Sequence, residues 1–280
     1  MATAKTDVPY VVAVGDIHAG SAFAPCPDEI AGQYDLTLYS SRVQQWLTRC
    51  WEHFADEYVP AVVGRRKFAL LVNGDVLEGN HHGGHQLVSA AVKVQRRIAL
   101  ELLRPLAARA AEVYVVKGTE CHTRDDEEEI AAELKARRCP STDNFAPDWW
   151  DINIRGVLTS FRHHISTSSR RALGATALGV QLNEEQVQAA GAGTPIPRVV
   201  VRSHRHVFGA YEDGNGMAVV LPAWQLHTRH AHKVVPASQR GAMVGGVVLD
   251  FSHIANPKDL PVVHRKLYRV SEGKPRASKP

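Results

Sequence analysis

Short apolar runs alternate with longer amphipathic stretches through the first half of the chain. The segments Y-V-V-A-V (10–14), K-F-A-L-L-V (67–72) and E-V-Y-V-V-K (112–117) read as buried strands. Between the first two, Val43, Trp46, Leu47, Cys50, Trp51, Phe54 and Tyr58 recur at spacings of three and four. That period predicts a helix over 40–59, capped by Ser40 or Ser41, with its aromatic residues in the core. Leu87, Val88, Ala91, Val94, Ile98, Leu102 and Leu103 line one face of a helix over 87–111, leaving Arg96, Arg97, Glu101 and Arg109 solvated. The stretch 125–138 begins acidic and ends basic, as a helix dipole favours, and its charges read as a solvated face. Residues 21–39 and 139–151, broken by prolines, read as loops. Residues 152–161 read as a hairpin, and 167–190 as a Ser/Ala-rich helix. Strands follow at 199–201, 218–221 and 246–251, with an edge strand at 262–270. Strand–helix alternation that turns strand-rich predicts an α/β fold of two packed sheets flanked by helices. There is no internal repeat, no P-loop and no G-x-G-x-x-G.

Composition narrows this picture only a little. A chain of 280 residues that is 44% hydrophobic and 22% charged is ordinary for a globular domain. No apolar run is long enough to span a bilayer, and the N-terminus lacks the apolar core of a secretory signal. The expectation is a cytoplasmic protein, with no membrane partner. Cys26, Cys50, Cys121 and Cys139 are scattered without a C-x-x-C, which suits a reducing compartment and argues against a zinc ribbon. A net charge of +4 is compatible with a polyanionic substrate such as a nucleic acid or nucleotide. Residues 272–280 read as a basic disordered tail.

The histidines change the picture by where they fall. Val199–Val201 run into S-H-R-H, which holds His204 and His206. On an extended backbone, residues at i and i+2 point the same way, so both imidazoles would address one point. Asp16 and His18 follow the strand at 10–14. Asp75 follows 67–72 in G-D-x-x-x-G, ahead of Asn80, His81, His82 and His85 in a Gly-rich loop. Thr119, Glu120 and His122 follow 112–117, and His163 and His164 follow the hairpin. Cys121 has no base–orienter pair to activate it as a nucleophile. Carboxylates mixed with imidazoles suit Mn²⁺, Fe, Zn²⁺ or Ni²⁺. The candidates outnumber the ligands of one four-coordinate ion. They would serve two ions about 3.5–4 Å apart, bridged by one carboxylate and a hydroxide. Arg162, Arg202 and Arg205 flank these loops and could hold phosphate oxygens.

The ordered set G-D-I-H, G-D-x-x-x-G-N, G-T-x-x-H, H-H and S-H-R-H resembles the calcineurin-like metallophosphoesterase superfamily, most of all its phage and prophage branch. The resemblance spans roughly 10–252 and implies one domain over 1–271, a four-layer α/β/β/α sandwich of two mixed β-sheets flanked by helices. It implies two divalent transition-metal ions, with manganese first among the candidates. Asp16, His18 and His206 would hold one ion and Asp75 would bridge. His163, or His164 after a one-residue shift, would hold the second with His204. His122 would protonate the leaving oxygen. The family's third-motif Asn is missing, and Thr119 stands nearest its place; Glu120, Asn80 or water could complete that shell, with His81 and Arg205 nearby. The implied activity is hydrolysis of phosphodiesters, with phosphomonoesters as an alternative. A nucleic-acid-binding or phage assembly factor with a weakened metal site is the reading from another class. The resemblance does not extend to oligomeric state.

Overall fold

Continuous apolar runs become central strands because both faces of each sheet are covered. A computed structural model describes residues 3–32, 36–80, 85–123, 125–165, 174–228 and 243–270. The N-terminal half supplies β1 (Ala4–Thr6), β2 (Tyr10–Val14), β3 (Glu29–Ala31), β4 (Thr37–Tyr39), β5 (Phe68–Asn73) and β6 (Glu112–Val116). The C-terminal half supplies β7 (Trp149–Ile154), β8 (Val157–Arg162), β9 (Val199–Arg202), β10 (Gly209–Asp213), β11 (Gly216–Val220), β12 (Met243–Asp250) and β13 (Val262–Arg269). One mixed sheet runs β13-β12-β2-β5-β6 and the other β1-β7-β8-β9-β11-β10. In the first, β2, β5 and β6 are parallel and β12 is antiparallel to β2.

The period-two alternation of the strands sorts their residues into layers. Val11, Ala13, Ala69, Leu71, Val116 and Val247 point inward against Trp150, Ile152, Phe161, Val199, Val201 and Val219 of the other sheet. Their neighbours Val12, Val14, Leu70, Val72 and Val115 point outward onto Leu47, Trp51, Phe54, Ile98 and Leu103. Those come from α1 (Arg42–Glu52), which continues through a π-helical stretch (His53–Tyr58) into α2 (Val59–Val63), and from α3 (Val92–Arg109). Val200, Ala218 and Val220 on the far face of the second sheet pack on Leu178 and Leu182. These belong to α6 (Gly174–Gly191); α4 (Glu120–Thr123) and α5 (Asp126–Glu133) precede it. The result is the four-layer α/β/β/α sandwich. Ser41 caps α1 in a full capping box with Gln44.

Several expectations are corrected: the helix expected over 87–111 spans Val92–Arg109, and the loop expected over 139–151 already contains the start of β7 at Trp149. Residues 21–39 are not all loop, because β3 and β4 pair as a small hairpin. β1 and β10 sit at opposite edges of the second sheet. Both are short and too polar to announce themselves. The helix expected over 125–138 spans only Asp126–Glu133, and it does not present all its charges to water: Glu127 is fully buried. The proposed tail falls outside the described residues. No helix among the described residues is long and apolar enough to cross a membrane.

Candidate metal centre

The two sheets bring five strand ends to one edge of the sandwich, and backbone hydrogen bonds stitch the following loops together. Asp16 N donates to Gly74 O at 3.0 Å, His18 N to Asp75 O at 2.9 Å, and Ser203 N to His163 O at 2.9 Å. The buried Asn73 amide crosses between sheets, donating to Arg162 O at 2.9 Å and Ser203 Oγ at 2.7 Å.

The loops hold an uncommon backbone. Asp16, His18, Asp75, His204 and His206 all have φ between 49° and 70°. Non-glycine residues rarely enter this left-handed region, and where they do the surrounding structure must enforce it. This corrects the extended reading of His204 and His206. Because the backbone is left-handed at both, their imidazoles separate. His206 joins Asp16 and His18, whereas His204 joins His163 and His164.

Within each group the candidate ligand atoms lie within 4.8 Å of one another. His18 Nε2 and His206 Nε2 are 3.1 Å apart. Asp75 faces both groups, with Oδ2 at 3.1 Å from His163 Nε2 and 3.9 Å from His18 Nε2. Asp16 and Asp75 are essentially solvent-free, and the ion-pair partners of both among the described residues are histidines.

The proton bookkeeping favours a cation here. His163 Nδ1 donates to Asn73 O at 2.8 Å, so neutral His163 turns a lone pair from Nε2 onto the Asp75 carboxylate. Two lone pairs at that distance repel unless a proton or a metal cation lies between them. Burial lowers the His163 pKa, but contact with Asp75 and the charges of Asp75 and Asp16 outweigh it and hold the value at about 10. Burial likewise opposes ionisation of Asp75, yet His163 and the surrounding imidazoles keep its pKa well below the usual carboxylate range. Carboxylates and imidazoles gathered this closely form a donor set that fits transition-metal cations.

Several supporting groups were not visible in the sequence. Glu78 Oε2 lies 2.9 Å from His18 Nδ1 and accepts from Gln225 Nε2 at 2.6 Å, which leaves His18 Nε2 for the centre. Glu127 accepts from Val76 N at 2.9 Å and Gly118 N at 2.5 Å, tying the Asp75 loop to the Thr119 loop. Burial and the Asp75 charge push its carboxyl up to about 7, against the pull of the two amide donors.

The remaining candidates divide. His122 is half-buried at the mouth, its Nδ1 2.8 Å from Glu78 O and its ring 4.7 Å from that of His18. Thr119 N donates to Asp75 Oδ1 at 2.6 Å, and its hydroxyl lies 3.2 Å from Asp75 Oδ2. Glu120 and Asn80 are exposed, and Glu120 is in none of the clusters. His81 and His82 lie outside the described residues. Arg205 is half-buried between the two ligand-loop histidines. Arg162 and Arg202 instead turn to Glu185 of α6, at 3.5 and 2.7 Å, so neither is set to hold substrate. They alternate with the residues that face the inner core, which sends them to the outer face. Partial burial and the Asp75 charge push the Cys121 thiol up, away from thiolate.

A Cβ at Gly118 would lie 2.2 Å from Asp75 N and 2.4 Å from Asp75 Oδ1. Gly118→Ala is expected to lower stability by about 1–3 kcal/mol through overpacking and to weaken metal uptake. Denaturant melts of stripped and loaded protein read both.

No family model and no curated protein matches the chain. Among solved structures it is similar to Vps29 of Chaetomium thermophilum, at 10% identity over 94% of this chain and 97% of that one, with a TM-score of 0.43. A novel archaeal phosphodiesterase matches at 11% identity over 92% and 99%, with a TM-score of 0.42. Zinc-complexed Vps29 of Entamoeba histolytica matches at 14% identity over 93% and 98%, with a TM-score of 0.40. Likenesses this distant place the chain in no family, and the architecture stands on its own strand order.

Proposed function

We propose that the chain is a binuclear-metal-dependent phosphoesterase that acts on phosphodiesters, nucleic acids or nucleotides included. The observation that carries this reading is the solvent-free Asp75 carboxylate set between two groups of inward-facing imidazoles. Asp16, His18 and His206 would hold one divalent cation, and His163 and His204 the other, with Asp75 shared. When bound, such a pair of cations neutralises phosphate charge and makes water acidic enough to yield hydroxide near neutral pH.

The chain's own residues do the rest. Glu78 and the Asn73 carbonyl fix the tautomers of His18 and His163, so each offers Nε2 inward. With Nδ1 held by the Glu78 carbonyl, His122 keeps Nε2 for the leaving oxygen and delivers a proton there.

That role has a specific signature. p-Nitrophenolate leaves without a proton at neutral pH, whereas a nucleoside alkoxide needs one. His122→Ala is therefore expected to slow a dinucleotide substrate by about 10²–10⁴-fold and bis-p-nitrophenyl phosphate far less. Equal rates for wild type and variant on both substrates would sink the assignment.

Stability should also report the centre. In metal-free protein the raised His163 pKa stabilises the fold fully below about pH 6.5, and this contribution is lost as pH rises through about 10. Metal uptake at pH 7 is then expected to expel at least about one proton per protein. Calorimetry in buffers of different ionisation enthalpy measures it; no buffer dependence would contradict it.

A further inference from the structure

The second group gathers three imidazoles, one more than the pair His163 and His204 assigned above. We propose that His164 is the third imidazole ligand, so that the second cation is held by His163, His164, His204 and Asp75. This rests on the two-cation reading above.

The three imidazoles form a near-equilateral set. Ring centroids are 5.0 Å apart for His163 and His164, 4.9 Å for His164 and His204, and 5.2 Å for His163 and His204. The rings are steeply inclined, at 83°, 60° and 75°, rather than stacked. One candidate ligand nitrogen from each lies within 4.8 Å of the others. Three donors about 2.0–2.1 Å from one ion sit roughly 3–3.5 Å apart, so the set must contract modestly. His164 can supply that movement. His163 and Ile165 on either side are buried, at 1% and 7% exposure, which fixes the backbone. The His164 side chain itself is exposed at the rim.

Thr119 is the competitor by sequence position. Its hydroxyl is 3.4 Å from His163 Nε2 and 3.5 Å from His204 Nδ1. Yet its hydroxyl and its backbone N–H are both engaged with Asp75. That geometry makes Thr119 an orienter of the carboxylate, not a donor to the ion. A hydroxyl is also a weaker neutral donor than imidazole for these metals.

A third imidazole has a chemical consequence. Three imidazoles and one carboxylate form a nitrogen-rich site, which favours Zn²⁺, Co²⁺ or Ni²⁺ over Mn²⁺. Manganese, first in the sequence expectation, would be the poorer occupant of this position.

The test titrates chelator-stripped full-length protein with Zn²⁺ and with Mn²⁺ by calorimetry, with elemental analysis of the product. Wild type is expected to bind two equivalents of zinc, the second far more tightly than manganese. His164→Ala should keep one tight equivalent and weaken the second by more than about 100-fold, beyond the 10–100-fold usual for losing an outer partner. Thr119→Ala should keep both within about that outer-partner range. A thermal melt confirms that each variant is folded. Two unchanged equivalents in His164→Ala would overturn the proposal and leave the two-cation reading standing. Fewer than two equivalents of any transition metal in wild type would remove that reading as well.

Discussion

Asp75→Asn is expected to lower phosphodiester turnover by at least about 10³-fold, the scale of several kcal/mol of lost charge stabilisation. The substitution is nearly isosteric, so the fold should survive. The charge that both imidazole groups face is lost, and the new amide brings its own difficulty. Its NH₂ can donate to the His163 Nε2 lone pair now 3.1 Å from Asp75 Oδ2, satisfying that nitrogen without a cation. Bound metal should fall to one equivalent or less. Initial rates and elemental analysis on the same preparation test this; a rate within tenfold of wild type with two equivalents retained would contradict it.

Glu127→Ala is expected to destabilise the protein by about 3–5 kcal/mol. Both carboxylate oxygens accept buried backbone N–H groups, from Val76 and Gly118. Their loss leaves two orphaned donors at about 1–3 kcal/mol each. Glu127→Gln should fall between, because one oxygen still accepts while the amide NH₂ opposes the other donor. The Asp75 and Thr119 loops lose their common tie in both variants, so metal affinity should drop about 10–100-fold. Denaturant midpoints and metal titration check the two effects separately. A Glu127→Ala protein of wild-type stability and affinity would show that the brace is idle.

The two residues differ in how they could be read from the chain. Asp75 ends a continuous apolar run, and that pattern marks a central strand whose loop opens at the sheet edge. The same logic located Asp16, His163 and His204. Glu127 sits in an acidic run at a helix start, where carboxylates ordinarily meet water and the helix dipole. The amides that hold it, of Val76 and Gly118, belong to two loops outside its own helix, so local pattern could not show its burial. Arg202 was obscured in the same way: only the packing of α6 supplies Glu185 as its partner. The spacing of His204 and His206 was visible, but not the left-handed backbone that sends them to different groups. That conformation is imposed by contacts across the loop, including His204 N donating to the Asp16 carboxylate at 3.0 Å. The edge strands β1 and β10 are short and carry too few apolar positions for a period-two signal.

The most direct measurement is anomalous diffraction from crystals of the zinc-loaded protein. The account predicts two peaks about 3.5–4 Å apart astride the Asp75 carboxylate. One peak should lie beside Asp16, His18 and His206 and the other beside His163, His164 and His204. A single peak, or none within reach of Asp75, would contradict it.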